Sequence, residues 1–195
     1  MRWIVVDGID GSGKSTIASW IYDHYTARGQ KVTILAHPSE TWVGKAARRF
    51  LESQGKAARL MATIFFIVDV LGSVRTLKKL EKTTGTVIFV RYLMATAYLP
   101  ESLAPKGYEF FRKVLPVPRR LLLVDTKPEV ALLRIEDRNE TKEMFEDLGS
   151  LEKTRRKILL LAGLNGWKVL DNSGPEGESR PALDELLAMW DESAD

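Results

Sequence analysis

The sequence predicts an α/β protein of three layers, with a parallel five-stranded sheet between helices on both faces. Three observations predict it. Strand-like and helix-like segments alternate along the whole chain, the grammar of βαβ units. The strand segments are continuous apolar runs, as strands covered on both faces require. The first strand leads into a glycine-rich turn that opens a helix, and no linker or internal repeat divides the chain.

Arg2–Asp7 is a short apolar, β-rich run ending at Gly8, suited to a central strand. From Lys14 a helix follows, with Ile17, Ala18, Ile21 and Tyr22 on one face and Gly29 as its stop. Lys31–Ala36 is the second strand, Pro38–Thr41 a loop, and helix resumes near Val43. Lys56 to Lys82 is one long helical region, periodic at Leu60, Ile64, Ile67, Val68 and Leu71, with Gly72 an interruption that need not end it. Thr86–Val90 is the third strand, made only of β-formers. Tyr92–Leu99 is expected to be helical up to Pro100, and Glu109–Leu115 to be a short helix closed by Pro116 and Pro118. Arg120–Asp125 is the fourth strand. Pro128 stands at the first position of the helix that Val130 to Ile135 continue. Asp137–Asp147 is dense in charge and poor in core residues, so it is expected to be exposed. Leu148–Leu164 is helical, Trp167–Leu170 the fifth strand, and Pro181–Trp190 the last helix.

Composition narrows the function classes. The 195 residues suit a single domain over 1–195 that buries its own core. No cysteine is present, which excludes a disulfide framework, a thiolate zinc site and a cysteine nucleophile. With 2 histidines, the composition argues against a His-rich metal centre, and a Ser-His-Asp hydrolase would rest on His24 or His37 alone. The net charge of +3 is too mild for a nucleic-acid binder, yet does not repel an anionic metabolite. No stretch reaches a membrane span, and the N-terminal segment lacks the apolar core of a signal peptide. The expectation is a cytoplasmic protein that acts on a small molecule.

The residues Gly8-Ile9-Asp10-Gly11-Ser12-Gly13-Lys14-Ser15 match G-x-x-x-x-G-K-[ST] completely, with a strand before and a helix after. Gly8, Gly11 and Gly13 let backbone N–H groups approach phosphate oxygens without a Cβ between them, and the Asp10 and Ser12 positions complete the turn. The helix N-terminus adds its positive dipole end. Lys14 is placed for the β- and γ-phosphates, Ser15 for Mg²⁺, and Thr16 carries the helix on. The fold expected is therefore the P-loop NTPase fold, with ATP and Mg²⁺ as cofactors.

Beyond this loop the chain resembles the thymidylate kinase family. Val5-Val6-Asp7-Gly8-Ile9-Asp10-Gly11-Ser12-Gly13-Lys14-Ser15-Thr16 is similar to the family's opening. So are Pro38-x-x-Thr41-x-x-Gly44, the Phe65-Phe66-x-x-Asp69 helix, the strand from Gly85 to Arg91-Tyr92, and Asp125-x-x-Pro128-Glu129-x-Ala131-x-x-Arg134-x-x-x-Arg138. Leu170-Asp171 falls where the family's adenine loop begins. The resemblance implies in-line transfer from MgATP to a nucleoside monophosphate, with dTMP the leading acceptor. It implies that Arg91 clamps the acceptor phosphate and that Asp10 bonds the acceptor sugar. Phe66 would stack on the base, Tyr98 would line the same site, and Arg134 and Arg138 would come over ATP from a LID near 138–147. Asp7 would stand in for a lost carboxylate near Mg²⁺. A homodimer through the second to fourth helices is implied as well; Met61, Phe65 and Val68 serve either that interface or the core.

The chain departs from the family where the acceptor would sit. Val90, Val70 and Met144 occupy positions where the family has Asp, Arg and Arg, and His37 replaces the Glu of a Glu-Pro pair. Asp10 could instead merely cap its turn, and periodicity does not decide between Phe65 and Phe66. Two other readings stay open: a P-loop kinase of another small metabolite, and an ATP-binding regulatory protein with little kinase activity. A switch GTPase lacks its Asn-Lys-x-Asp signature.

Overall fold

The most apolar runs of the chain lie at the centre of the sheet. β1 (Arg2–Asp7), β3 (Thr86–Val90) and β4 (Arg120–Asp125) are buried along nearly their whole length, whereas β2 (Val32–Ala36) and β5 (Lys168–Asp171) are the half-exposed edges. The order is β2-β3-β1-β4-β5, and every pairing is parallel. These facts come from a computed structural model that describes residues 1–51, 53, 56–137 and 147–193.

Alternation along the strands sends side chains to two cores. Ile4, Val6, Ile88, Val90, Leu122 and Val124 face α1 (Lys14–Thr26) and, from the C-terminal end of the chain, α7 (Arg180–Glu192). Val5, Val87, Phe89, Leu121 and Leu123 face the opposite layer. That layer contains α3 (Lys56–Leu80), α4 (Ala104–Val114) and α6 (Leu148–Leu164); α2 (Trp42–Leu51) packs on α3, and α5 (Pro128–Asp137) follows β4. Burying one such side chain is worth roughly 1.5–3 kcal/mol, so these two apolar layers hold the sheet together.

Four expectations shift. Tyr92–Leu99 is not an α-helix: a short 3₁₀ helix covers Met94–Tyr98, and the amides of Tyr92 and Met94 go to the Asp7 carboxylate instead of to a helical ladder. α4 begins at Ala104, ahead of the expected Glu109, because Pro105 sits in the first turn, where no N–H is needed. β2 starts at Val32, since Lys31 spends its carbonyl on the turn amides of Gly85 and Thr86. β5 runs from Lys168 to Asp171, one residue later than expected. Trp167 is instead buried, its indole donating to the Tyr108 hydroxyl at 2.7 Å. Of the expected LID near 138–147, residues 138–146 lie outside the described residues, Arg138 among them.

The sheet order places the site. The chain moves from β1 to β2 and β3 on one side, and later to β4 and β5 on the other. The crevice at the carboxyl ends of β3, β1 and β4 is therefore the topological switch point, where open α/β sheets bind ligands.

Candidate active site

The loop after β1 is built for an anion. A Cβ on Gly8 would stand 2.4 Å from the Val124 carbonyl, so the close approach of β4 excludes any side chain there. Gly13 caps α1 with φ of 88°, in the left-handed region, and a Cβ on it would meet the Asn172 Nδ2 at 2.5 Å. Two partners from distant loops brace the turn: Asn172 Nδ2 donates to the Ser12 carbonyl at 2.9 Å, and the Thr126 hydroxyl lies 3.2 Å from the same oxygen. Ser179 Oγ fixes Asn172 in turn, donating to its Oδ1 at 2.8 Å. Ser12 is fully buried, and its hydroxyl has no partner among the described residues. Lys14 is buried across the loop, its ammonium donating to the Ile9 carbonyl and lying 4.0 Å from Asp10. Ser15 and Thr16 are exposed on the first turn of α1.

Asp7, under the loop, is the joint between this turn and the next. Its Oδ1 accepts from the Gly8 amide at 3.0 Å, and its Oδ2 from the amides of Tyr92 and Met94 at 2.9 and 3.1 Å. Burial raises its pKa above the usual carboxylate range, against those amides and the charge of Lys14. The same carboxylate thus ties the phosphate loop to the segment carrying Arg91 and Tyr98.

Arg91 is the first residue beyond β3, and it has φ of 61°. A non-glycine residue held there is strained and is kept so by its surroundings. The restraints are its amide on the Val6 carbonyl at 3.1 Å and its own carbonyl, which receives the His37 Nδ1 at 3.1 Å. This backbone turn sends the guanidinium to the Asp10 carboxylate, and one of its nitrogens reaches the His37 carbonyl at 3.4 Å. Tyr98 donates to the other oxygen of Asp10 at 2.8 Å. Burial alone would raise the pKa of Asp10, but Arg91, Lys14 and the Tyr98 hydroxyl outweigh it and hold the carboxyl far below its ordinary range. Burial, and then the Asp10 charge, push the Tyr98 phenol well upward, so it remains a hydrogen-bond donor. Asp10 therefore anchors a charged pair as well as shaping its turn.

A cavity of about 760 Å³ opens beside this group. Phe66, Ile67 and Val70 of α3 form one wall, and Asp10, Arg91 and Tyr98 contribute to its polar side. The choice between neighbouring phenylalanines is thus made by helix rotation: Phe65 stacks on Phe50 at 5.6 Å and meets Trp42 edge-on, while Phe66 faces the cavity. Val70 and Val90 are both buried. Asp69 holds the loop before α2 against α3, accepting from the Ser39 amide at 2.7 Å, from the Ser39 hydroxyl, and from the Thr41 hydroxyl at 3.1 Å.

On the other side of the phosphate loop, Arg134 of α5 donates to the carbonyls of Asn172 and Gly174, both at 2.9 Å. Its guanidinium lies 3.9 Å from where a Cβ on Gly13 would stand, directly over the loop. Sequence reasoning brought together Lys14, Asp10, Arg91, Tyr98, Phe66 and Arg134. It missed Thr126, Asn172 and Ser179, whose only signal was their place after the last two strands. It also missed Lys153, Arg156 and Lys157 of α6, which line the cavity too and carry no motif.

Among the described residues, no group of three acidic, His or Cys side chains is placed to hold a metal, and no helix is long and apolar enough to cross a membrane. A family model described as Thymidylate kinase matches residues 6–181. A thymidylate kinase of Leptospira borgpetersenii serovar Hardjo-bovis is 34% identical over 162 residues, 78% of this chain and 77% of that protein. A probable thymidylate kinase of Archaeoglobus fulgidus is 30% identical over 195 residues, covering 96% of this chain and 95% of that protein. A thymidylate kinase of Leptospira interrogans is 30% identical over 164 residues, 78% of each chain.

Proposed function

The chain belongs to the thymidylate kinase family, and from that premise we propose that it transfers the γ-phosphoryl group of MgATP to dTMP. One observation carries the reading: the phosphate loop and the Arg91–Asp10–Tyr98 group open on the same end of the sheet, joined through Asp7.

Transfer of this kind asks mainly for positioning and positive charge. Gly8 to Thr16 receive the donor phosphates, and Lys14 leaves the Ile9 carbonyl for a phosphate oxygen, a stronger acceptor. Arg91 holds the acceptor phosphate in line, already oriented by Asp10 and by its constrained backbone. Tyr98 and Asp10 border the sugar, and Phe66 lies against the base. Arg134 secures the β5–α7 loop beside the donor, and Arg138 is assigned to the LID. The exposed Ser15 hydroxyl would hold Mg²⁺ brought in with the nucleotide. When bound, that ion neutralises charge on the transferred phosphoryl group. Asp7 spends its oxygens on three backbone amides, so its place near the ion is an outer one.

The apolar wall at Phe66, Ile67 and Val70 favours a second reading, in which another monophosphate shares the site, because no side chain there hydrogen-bonds a base. Location in the cytoplasm, no nucleic-acid partner, and a homodimer through the exposed Ile64, Val68 and Leu71 of α3 complete the proposal.

The test is a coupled ADP-release assay with MgATP across a panel of monophosphates. Turnover with dTMP is expected, together with a loss of roughly 10²–10³ in kcat in Lys14→Ala, the size seen when one charge-stabilising group is removed. No ADP above background with any acceptor, or full activity in Lys14→Ala, would refute the assignment.

A further inference from the structure

The cavity beside Arg91 has a second cationic side that the phosphate loop does not explain. α6 carries Lys153, Arg155, Arg156 and Lys157, and three of the four are engaged. Arg155 makes a two-pronged pair with Asp125, both contacts at 2.7 Å. Arg156 meets Glu101 at 3.4 Å, and Lys157 donates to the Leu99 carbonyl at 2.7 Å. Lys153 is exposed, lines the cavity, and has no hydrogen-bond or ion-pair partner among the described residues.

Its height in the fold follows from the chain direction. β4 and β5 are parallel, so α6, which precedes β5, runs from the carboxyl ends of the strands toward their amino ends. Arg155 is level with Asp125, the last residue of β4. At 1.5 Å per residue, Lys153 starts about 3 Å nearer the mouth, at the level where the sheet binds its ligands. The charges of the lining point the same way. Arg91, Lys153, Arg156 and Lys157 stand against Asp7, Asp10 and Glu101, four cations to three carboxylates. Arg91 is matched by Asp10 and Arg156 by Glu101, while Asp7 is spent on backbone amides beside Lys14 and Lys157 donates to the Leu99 carbonyl. Removing Lys153 would leave the wall formally neutral around a dianionic acceptor.

We propose that Lys153 is a further substrate-binding residue, the cation that meets the acceptor's phosphate from the α6 side opposite Arg91; this rests on the monophosphate kinase reading above. A flexible ammonium suits that place, because it can follow the phosphate while the planar Arg91 fixes its orientation.

The experiment compares Lys153→Met and Lys153→Arg with Lys168→Met, which removes an exposed charge away from the cavity. Lys153→Met is expected to raise the KM for dTMP about tenfold, with kcat and the KM for ATP changed by less than about twofold, while Lys153→Arg recovers most of the loss. An unchanged KM for dTMP, a rise confined to ATP, or an equal rise in Lys168→Met overturns the assignment. Calorimetric titration with dTMP alone separates the two claims. If the wild type binds dTMP and Lys153→Met binds it about tenfold more weakly without any turnover, only the kinase reading fails. If the wild type does not bind dTMP, both fail.

Discussion

His37 shows how a single substitution in a loop is absorbed by its surroundings. Its ring is buried, stacked on Phe89 at 5.7 Å, and hydrogen-bonded at both nitrogens. A carbonyl can only accept, so Nδ1 carries the proton given to Arg91, and Nε2 accepts from the Ser73 hydroxyl at 2.8 Å. Burial pushes its pKa below the ordinary 6.5, although the nearby Asp69 charge opposes the shift. The sign follows: below about pH 6.5 the unfolded chain takes up a proton that the folded ring resists, so stability falls as pH drops. Denaturation midpoints measured between about pH 7.5 and pH 5.5 should decline more steeply for the wild type than for His37→Gln. Equal slopes would show that the ring does not hold the neutral form. At this scale the sequence was clear for Gly8 to Thr16, where local backbone demands select the residues. It placed Asp7 near Mg²⁺ but did not reveal its three amide partners, two of which lie 85 and 87 residues away.

Among the elements, α5 and the loop between β5 and α7 act as a unit. Arg134 holds the carbonyls of Asn172 and Gly174, while the Asn172 side chain holds Ser12 in the phosphate loop. Arg134→Ala should therefore loosen the donor side first: a KM for ATP raised roughly tenfold, a smaller fall in kcat and an unchanged KM for dTMP. Steady-state kinetics with each substrate varied in turn decide this. A fall in kcat alone would mean that Arg134 acts directly on the transferred phosphate. Element types were legible wherever periodicity ran long, as in α1, α3 and α6. The segment after β3, expected helical over Tyr92–Leu99, is a shorter 3₁₀ helix over Met94–Tyr98, because the Asp7 carboxylate takes the amides of Tyr92 and Met94. α4 starts at Ala104, five residues before the expected Glu109, since a proline such as Pro105 is welcome in a first turn.

Across the whole molecule, the cavity proposed for the acceptor is framed by α3, the 3₁₀ helix, α6 and the ends of β1 and β3, so a ligand bound there would couple elements far apart in the chain. A ligand binding only the folded state at about a hundred times its Kd adds about 2.7 kcal/mol. For a chain of this size, thermal unfolding should then shift up by roughly 5–10 °C with dTMP. The same shift in Lys153→Met should need about tenfold more ligand, and no shift in the wild type would argue against the cavity as the acceptor site. The sequence by itself determined the phosphate loop, the strand–helix alternation and the resemblance that named the family, because each depends on local backbone preference or contiguous residues. Only the tertiary structure decided that Arg91 and Tyr98 meet Asp10 across 81 and 88 residues, that Phe66 and not Phe65 faces the cavity, and that Lys153 lines it. Strand order and helix rotation set these meetings. Both are chosen by how the apolar faces pack together, which no single stretch of sequence encodes.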